Sequence, residues 1–89
     1  MLNKTEHIDN LYKTILKLET IDECYDFFDD LCTQKEIEQM AERLSAAKLL
    51  LDGETYEQVI KKTNISSATL SRVSKCVKYG NGYKNIIKK

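Results

Sequence analysis

Proline and tryptophan are absent from the 89 residues, and glycine occurs only three times, at Gly53, Gly80 and Gly82. Strand-rich domains need more turn residues than this, so the scarcity argues for an all-α fold. Histidine occurs once, as His7. No cysteine or carboxylate is arranged around it as a triad or metal site, and no glycine-rich phosphate loop is present. Neither an enzyme nor a metal protein is expected. Cys24, Cys32 and Cys76 are odd in number and lack CxxC spacing, the pattern of reduced thiols in a cytoplasmic protein. Cys24 and Cys32 fall on apolar helical positions, where packing is the plain reading. No apolar run approaches the ~18 residues of a membrane span. The segment Met1-Leu2-Asn3-Lys4-Thr5-Glu6-His7 has no signal-like apolar core. The expectation is a cytoplasmic protein with no membrane partner.

Excess charge of either sign is missing too. The chain carries 14 basic and 14 acidic side chains. A zero balance argues against a nucleic-acid partner, but the sum hides a split. Residues 1–44 hold 5 basic and 11 acidic side chains, a net −6, and residues 45–89 hold 9 and 3, a net +6. Glu57 is the last acid. Lys61, Lys62, Arg72, Lys75, Lys78, Lys84, Lys88 and Lys89 follow it. Asymmetry of this kind points to a nucleic-acid or membrane partner.

With 42% apolar and 31% charged residues, the composition is that of a folded chain. Its length suits one small domain, residues 1–89, with a modest core, so self-association is expected. Five helices are predicted, with a short sixth. Ile8, Leu11, Tyr12, Ile15 and Leu18 form the stripe of the first. Thr20-Ile21-Asp22-Glu23 is a capping box that opens the second, whose stripe is Cys24, Tyr25, Phe28, Leu31 and Cys32. Thr33 to Glu36 is another box. It opens a third helix striped by Ile37, Met40, Ala41, Leu44, Ala47 and Leu51. Ala46, Leu49 and Leu50 widen that apolar surface, which marks the centre of the fold. Asp52-Gly53 stops it. Thr55 to Gln58 is a third box. It starts a short helix to Lys62 or Thr63, and Asn64 tolerates the sharp turn that follows. Ser66 caps the next helix, Ser67 to Tyr79, which Gly80-Asn81-Gly82 ends. Residues Tyr83 to Lys89 suit a last short helix with Ile86 and Ile87 inward.

The pair of helices within about residues 55–79 has the spacing of a helix-turn-helix. Val59, Ile65, Leu70 and Val73 are its apolar locks. Ile60 is bulkier than the small residue usual between such helices, and Asn64 stands where Gly is usual. The other face is small, hydroxylated or basic. Ser66, Ser67, Ala68, Thr69 and Ser71 would let the backbone approach double-stranded DNA, with N–H groups on phosphate and methyls on a thymine methyl. Lys61, Lys62, Lys75 and Lys78 suit phosphate, Arg72 suits a guanine edge, and Gln58 joins them from the first helix.

From Thr33 onward the sequence resembles the Trp repressor superfamily, and most closely the small YerC/YecD group of Gram-positive bacteria. The resemblance rests on Arg43-Leu44, on the run Leu50 to Tyr56, and on the run Ile65 to Arg72. Ala68-Thr69-Leu70-Ser71-Arg72-Val73-Ser74 is close to that family's recognition-helix signature. The resemblance implies an intertwined helical homodimer that reads a pseudo-palindromic site with half-sites ~34 Å apart. It also implies a small-molecule corepressor slot between Arg43 and Arg72, with Ser74 near the ligand's amino group. Val73 stands where the repressor has Gly. A β-branched side chain there intrudes on an indole, which disfavours tryptophan and leaves a smaller ligand or none. Without a ligand, Arg72 is free for DNA or for an ion pair with Glu54 or Glu57.

Two functions remain open on the sequence. One is a dimeric, sequence-specific DNA-binding regulator, a repressor. The other is a helical protein-interaction module with the helix-turn-helix as scaffold and Asp26, Asp29, Asp30, Glu36 and Glu38 as partner surface. The same acids also read as a solvated face.

Overall fold

A computed structural model describes residues 3–89; Met1 and Leu2 of the polar N-terminal segment lie outside the described residues. It contains six helices: α1 (Lys4–Ile15), α2 (Ile21–Leu31), α3 (Gln34–Leu51), α4 (Tyr56–Thr63), α5 (Ser67–Tyr79) and α6 (Gly82–Ile87). Among the described residues there is no strand, and no helix is long and apolar enough to cross a membrane. The chain divides into two compact units, Met1–Gln34 and Lys35–Lys89.

In the first unit, Asn3 caps α1 by accepting from the Glu6 N–H at 2.9 Å. The helix is shorter than its apolar stripe predicts. It ends at Ile15, and Leu18 falls beyond it. The chain tightens there through i+3 bonds, Lys17 N–H to the Thr14 carbonyl and Leu18 N–H to the Ile15 carbonyl. Glu23 then takes over the free donors. Its Oε1 accepts from the N–H groups of Glu19 (2.8 Å) and Thr20 (3.2 Å), while Thr20 Oγ1 accepts from Glu23 N–H. This is the predicted capping box. In α2 the rings of Phe27 and Phe28 meet edge to face at 5.5 Å. Tyr25 and Leu31, expected on the packed stripe, are exposed. No residue of α1 or α2 is buried.

In the second unit the core is Ala46, Ala47, Val59, Ile65, Leu70 and Val73, with Leu49, Leu50, Val77, Tyr83 and Ile87 packed against it. The two alanines in the later part of α3 lie at 0% exposure, and their small side chains keep that part of the helix surface flat. All four predicted locks are buried. By contrast, Met40 and Leu44 on the earlier part of α3 are exposed. In α6 Ile87 packs on the core, but Ile86 is exposed. Two adjacent helical residues are about 100° apart and cannot share one narrow face. Tyr83, four residues before Ile87, is the second inward residue.

A Schellman turn ends α3: Gly53 N–H donates to the Leu50 carbonyl and Glu54 N–H to the Leu49 carbonyl. Gly53 sits at φ 90°, where a side chain is strained although nothing lies within 4 Å to obstruct it. Gly53→Ala should therefore cost about 1 kcal/mol or more through the backbone alone. Urea unfolding measures this, and an unchanged midpoint would contradict the argument. Gly80 is constrained differently. Its φ is ordinary, but a Cβ there would lie 2.7 Å from the Cys76 carbonyl oxygen.

Candidate nucleic-acid interface

Helices α4 and α5 are joined by three residues, Asn64, Ile65 and Ser66. The turn is built from local bonds. At the head of α4, Thr55 Oγ1 accepts from Gln58 N–H at 3.3 Å, and Gln58 Oε1 accepts from Thr55 N–H at 2.8 Å. At its end Asn64 adopts the left-handed conformation, φ 59° and ψ 16°, and its N–H donates to the Ile60 carbonyl. Thr63, which sequence reasoning passed over, ties both sides together. Its hydroxyl donates to the Val59 carbonyl at 2.7 Å and accepts from Ile65 N–H at 3.3 Å. The signal was present, since a threonine in a last helical turn can bond back four residues. Ile65 then drops into the core at 4% exposure, which fixes α5 against α4.

Ser66 caps α5. Its hydroxyl accepts from Thr69 N–H at 3.2 Å and donates to Thr69 Oγ1 at 2.9 Å. The Thr69 hydroxyl proton is left for an outside acceptor. Ser66, Ser67, Ala68, Ser71, Arg72, Lys75 and Lys78 are exposed, and Thr69 is half-buried. The alternate positions Leu70, Val73 and Ser74 are buried. Thus α5 separates an apolar inner face from a polar outer one, and its first turn offers free N–H groups with no acid among them. Lys84, which was not singled out, closes the far end by donating from Nζ to the Lys78 carbonyl at 3.2 Å. A cation there also suits the negative end of the helix dipole.

The predicted basic residues differ in their state. Among the described residues no acid pairs with Lys61, Arg72, Lys75 or Lys78, whereas Lys62 pairs with Glu54. Of the two roles open to Arg72 without a ligand, the ion pair with Glu54 or Glu57 is not formed, and Glu54 pairs with Lys62 instead. Gln58 is also partly committed, with its carbonyl on the cap and its amide donors still available.

Arg43 and Arg72 are brought together. With Ala68 and Thr69 they line a surface cleft of about 520 Å³. Ser74 is not among these lining residues. It is 4% exposed and belongs to the inner face of α5, as its position four residues after Leu70 requires. Val73, expected to crowd this slot, is also in the core, at 2% exposure. A second cleft, of about 480 Å³, is lined by Leu44, Cys76, Gly80, Gly82, Tyr83, Ile86 and Ile87. It is apolar throughout and has no charged group with which to meet a phosphate. Among the described residues no cluster of His, Cys, Asp or Glu is placed to hold a metal ion.

Comparison with known proteins agrees with this architecture. The Trp repressor protein family matches residues 6–89. The uncharacterised protein YerC of Bacillus subtilis is 47% identical over 76 residues, covering 85% of this chain and 73% of that protein. The crystal structure of a candidate Trp repressor from Staphylococcus aureus superposes with a TM-score of 0.89 at 42% identity, over 93% of this chain and 84% of that one. A TrpR-like protein from Eubacterium eligens gives 0.90 at 42% identity, over 96% and 89%. With the fold, the helix-turn-helix and the sequence in agreement, the chain belongs to the Trp repressor family.

Proposed function

We propose that residues 1–89 form one DNA-binding domain, a sequence-specific, dimeric repressor that acts in the cytoplasm. Family and fold are those of DNA-binding regulators, and the chain is not an enzyme. The observation that carries the reading is the outer face of α5. Ser67, Ala68, Ser71, Arg72 and Lys75 are exposed on a capped helix whose first turn has no acid. In this reading the α5 N-terminus enters the major groove. Thr69 and Ala68 meet base edges, Arg72 meets guanine, and Lys61, Lys75 and Lys78 hold phosphates. Ser66 acts through its cap on Thr69, and Gln58 contributes its amide donors.

The dimer is supported by α1 and α2. Both are amphipathic and bury nothing, and Ile8, Tyr12, Leu16, Ile21 and Tyr25 are exposed. A second copy of the chain is the occupant that closes those faces symmetrically. The Arg43–Arg72 cleft supports an effector site. Two guanidiniums and a hydroxyl suit a carboxylate or phosphate group, and Ala68 alone offers an apolar wall, which does not favour an indole. Three of its four lining residues also lie on the reading face, so a bound effector would alter DNA affinity.

Selection from a random duplex library, with and without an amino-acid pool, tests both parts. Enrichment of a pseudo-palindrome is expected, and failure to enrich any sequence would favour a protein-interaction module. Against the selected site, alanine at Lys75 and Lys78 together should reduce the slope of log K against log salt by about 0.9 per lysine. Thr69→Ala should weaken cognate binding more than random binding. Unchanged affinity in both variants would remove this face from the interface.

A further inference from the structure

Of the lysines on α4 and α5, Lys62 alone is paired with an acid among the described residues. Its ammonium group pairs with the Glu54 carboxylate. Glu54 lies on the loop just before the Thr55 cap, and Lys62 lies in the last turn of α4, so the pair runs along the length of that helix. Each charge also sits at the end of α4 that its sign favours. The two partners are unequal. The Lys62 side chain is 57% exposed, but that of Glu54 is only 20% exposed. Among the described residues Glu54 has no other side-chain partner. If Lys62 moved to a phosphate, a half-buried carboxylate would be left unpaired beside a polyanion. An exposed pair is weak by itself, but a partly covered carboxylate left without its partner would also be repelled by the neighbouring phosphates.

We propose that Glu54 is a specificity-determining residue that keeps Lys62 out of the phosphate-contact set and so restrains affinity for random DNA. The inference rests on the DNA-binding reading above. It removes one of the phosphate contacts expected from sequence and gives one of the last acids before the basic segment a task.

The test is titration of random-sequence and selected duplexes between 50 and 200 mM salt. It uses the full chain, Glu54→Gln, Lys62→Ala and the double variant, with folding checked by circular dichroism. Lys62→Ala should leave the salt slope at the wild-type value. Glu54→Gln should steepen it by about 0.9, which is roughly a threefold larger loss across that salt range. It should also tighten random binding and lower the ratio of selected to random affinity. The double variant should return to the wild-type slope. A slope reduced by about 0.9 in Lys62→Ala alone would make Lys62 an ordinary phosphate contact and overturn the proposal. So would a Glu54→Gln gain that survives removal of Lys62, because bulk charge would then explain it. Wild-type protein that binds duplex while Glu54→Gln changes nothing defeats this inference alone. Wild-type protein that binds no duplex defeats the DNA reading and this inference together.

Discussion

Leu70→Ala should destabilise the chain by about 2–5 kcal/mol. Leu70 is fully buried and sits in the second helix of the helix-turn-helix, one turn after the Ser66 cap. Its neighbours in the core include Val59 on α4, Val73 on α5 and the alanine pair on α3. Three helices therefore contribute to the buried cluster that holds Leu70, and truncation leaves a cavity within it. Small domains hold only about 5–15 kcal/mol in total, so the loss is a large fraction of the stability. Urea unfolding should show a lower midpoint with little change in slope. A loss under about 1 kcal/mol would mean that the core collapses around the gap and that Leu70 does not lock the helix-turn-helix.

Charged residues on the α1 stripe should separate the proposed dimer. Ile8→Asp with Tyr12→Asp places two carboxylates on the exposed part of the α1 stripe, where the two residues are 49% and 60% exposed. Light scattering should give the mass of two chains for wild type and of one for the variant. Operator affinity should fall about 10²–10⁴-fold, because each half-site is then bound without help from the other. A variant that keeps the two-chain mass would show that α1 is not the interface. A wild-type protein already at the mass of one chain would remove the dimer from the proposed function.

How much of this was legible depended on how far apart the interacting residues are. The Thr20–Glu23 and Thr55–Gln58 boxes, the Gly53 stop, the left-handed Asn64 and the Ser66 cap were all readable. Each is settled by bonds spanning about three to five residues. The locks Val59, Ile65, Leu70 and Val73 were readable from helical spacing. The same spacing places Ser74, four residues after Leu70, on the buried stripe rather than beside Arg43 and Arg72. The end of α1 was not readable because Leu18 continues the apolar pattern, whereas the N–H groups of Lys17 and Leu18 make tight i+3 bonds and those of Glu19 and Thr20 donate to Glu23. Ile86 and Ile87 could not be separated by composition. Only the direction from which α6 meets the core makes Ile87 and Tyr83 the inward pair.

The sequence by itself determined that the chain is helical, where most of its helices begin and end, and that an acidic half precedes a basic one. Those properties follow from local bonding, helical periodicity and simple counting, none of which needs distant residues to meet. Tertiary structure decided which charges remain available. It brought Arg43 on α3 beside Arg72 on α5 in one cleft, and it gave Glu54 to Lys62 rather than to Arg72. It left no residue of α1 or α2 fully buried. The state of a charged or apolar side chain depends on what the folded backbone carries into its reach, and separation along the chain does not encode that distance.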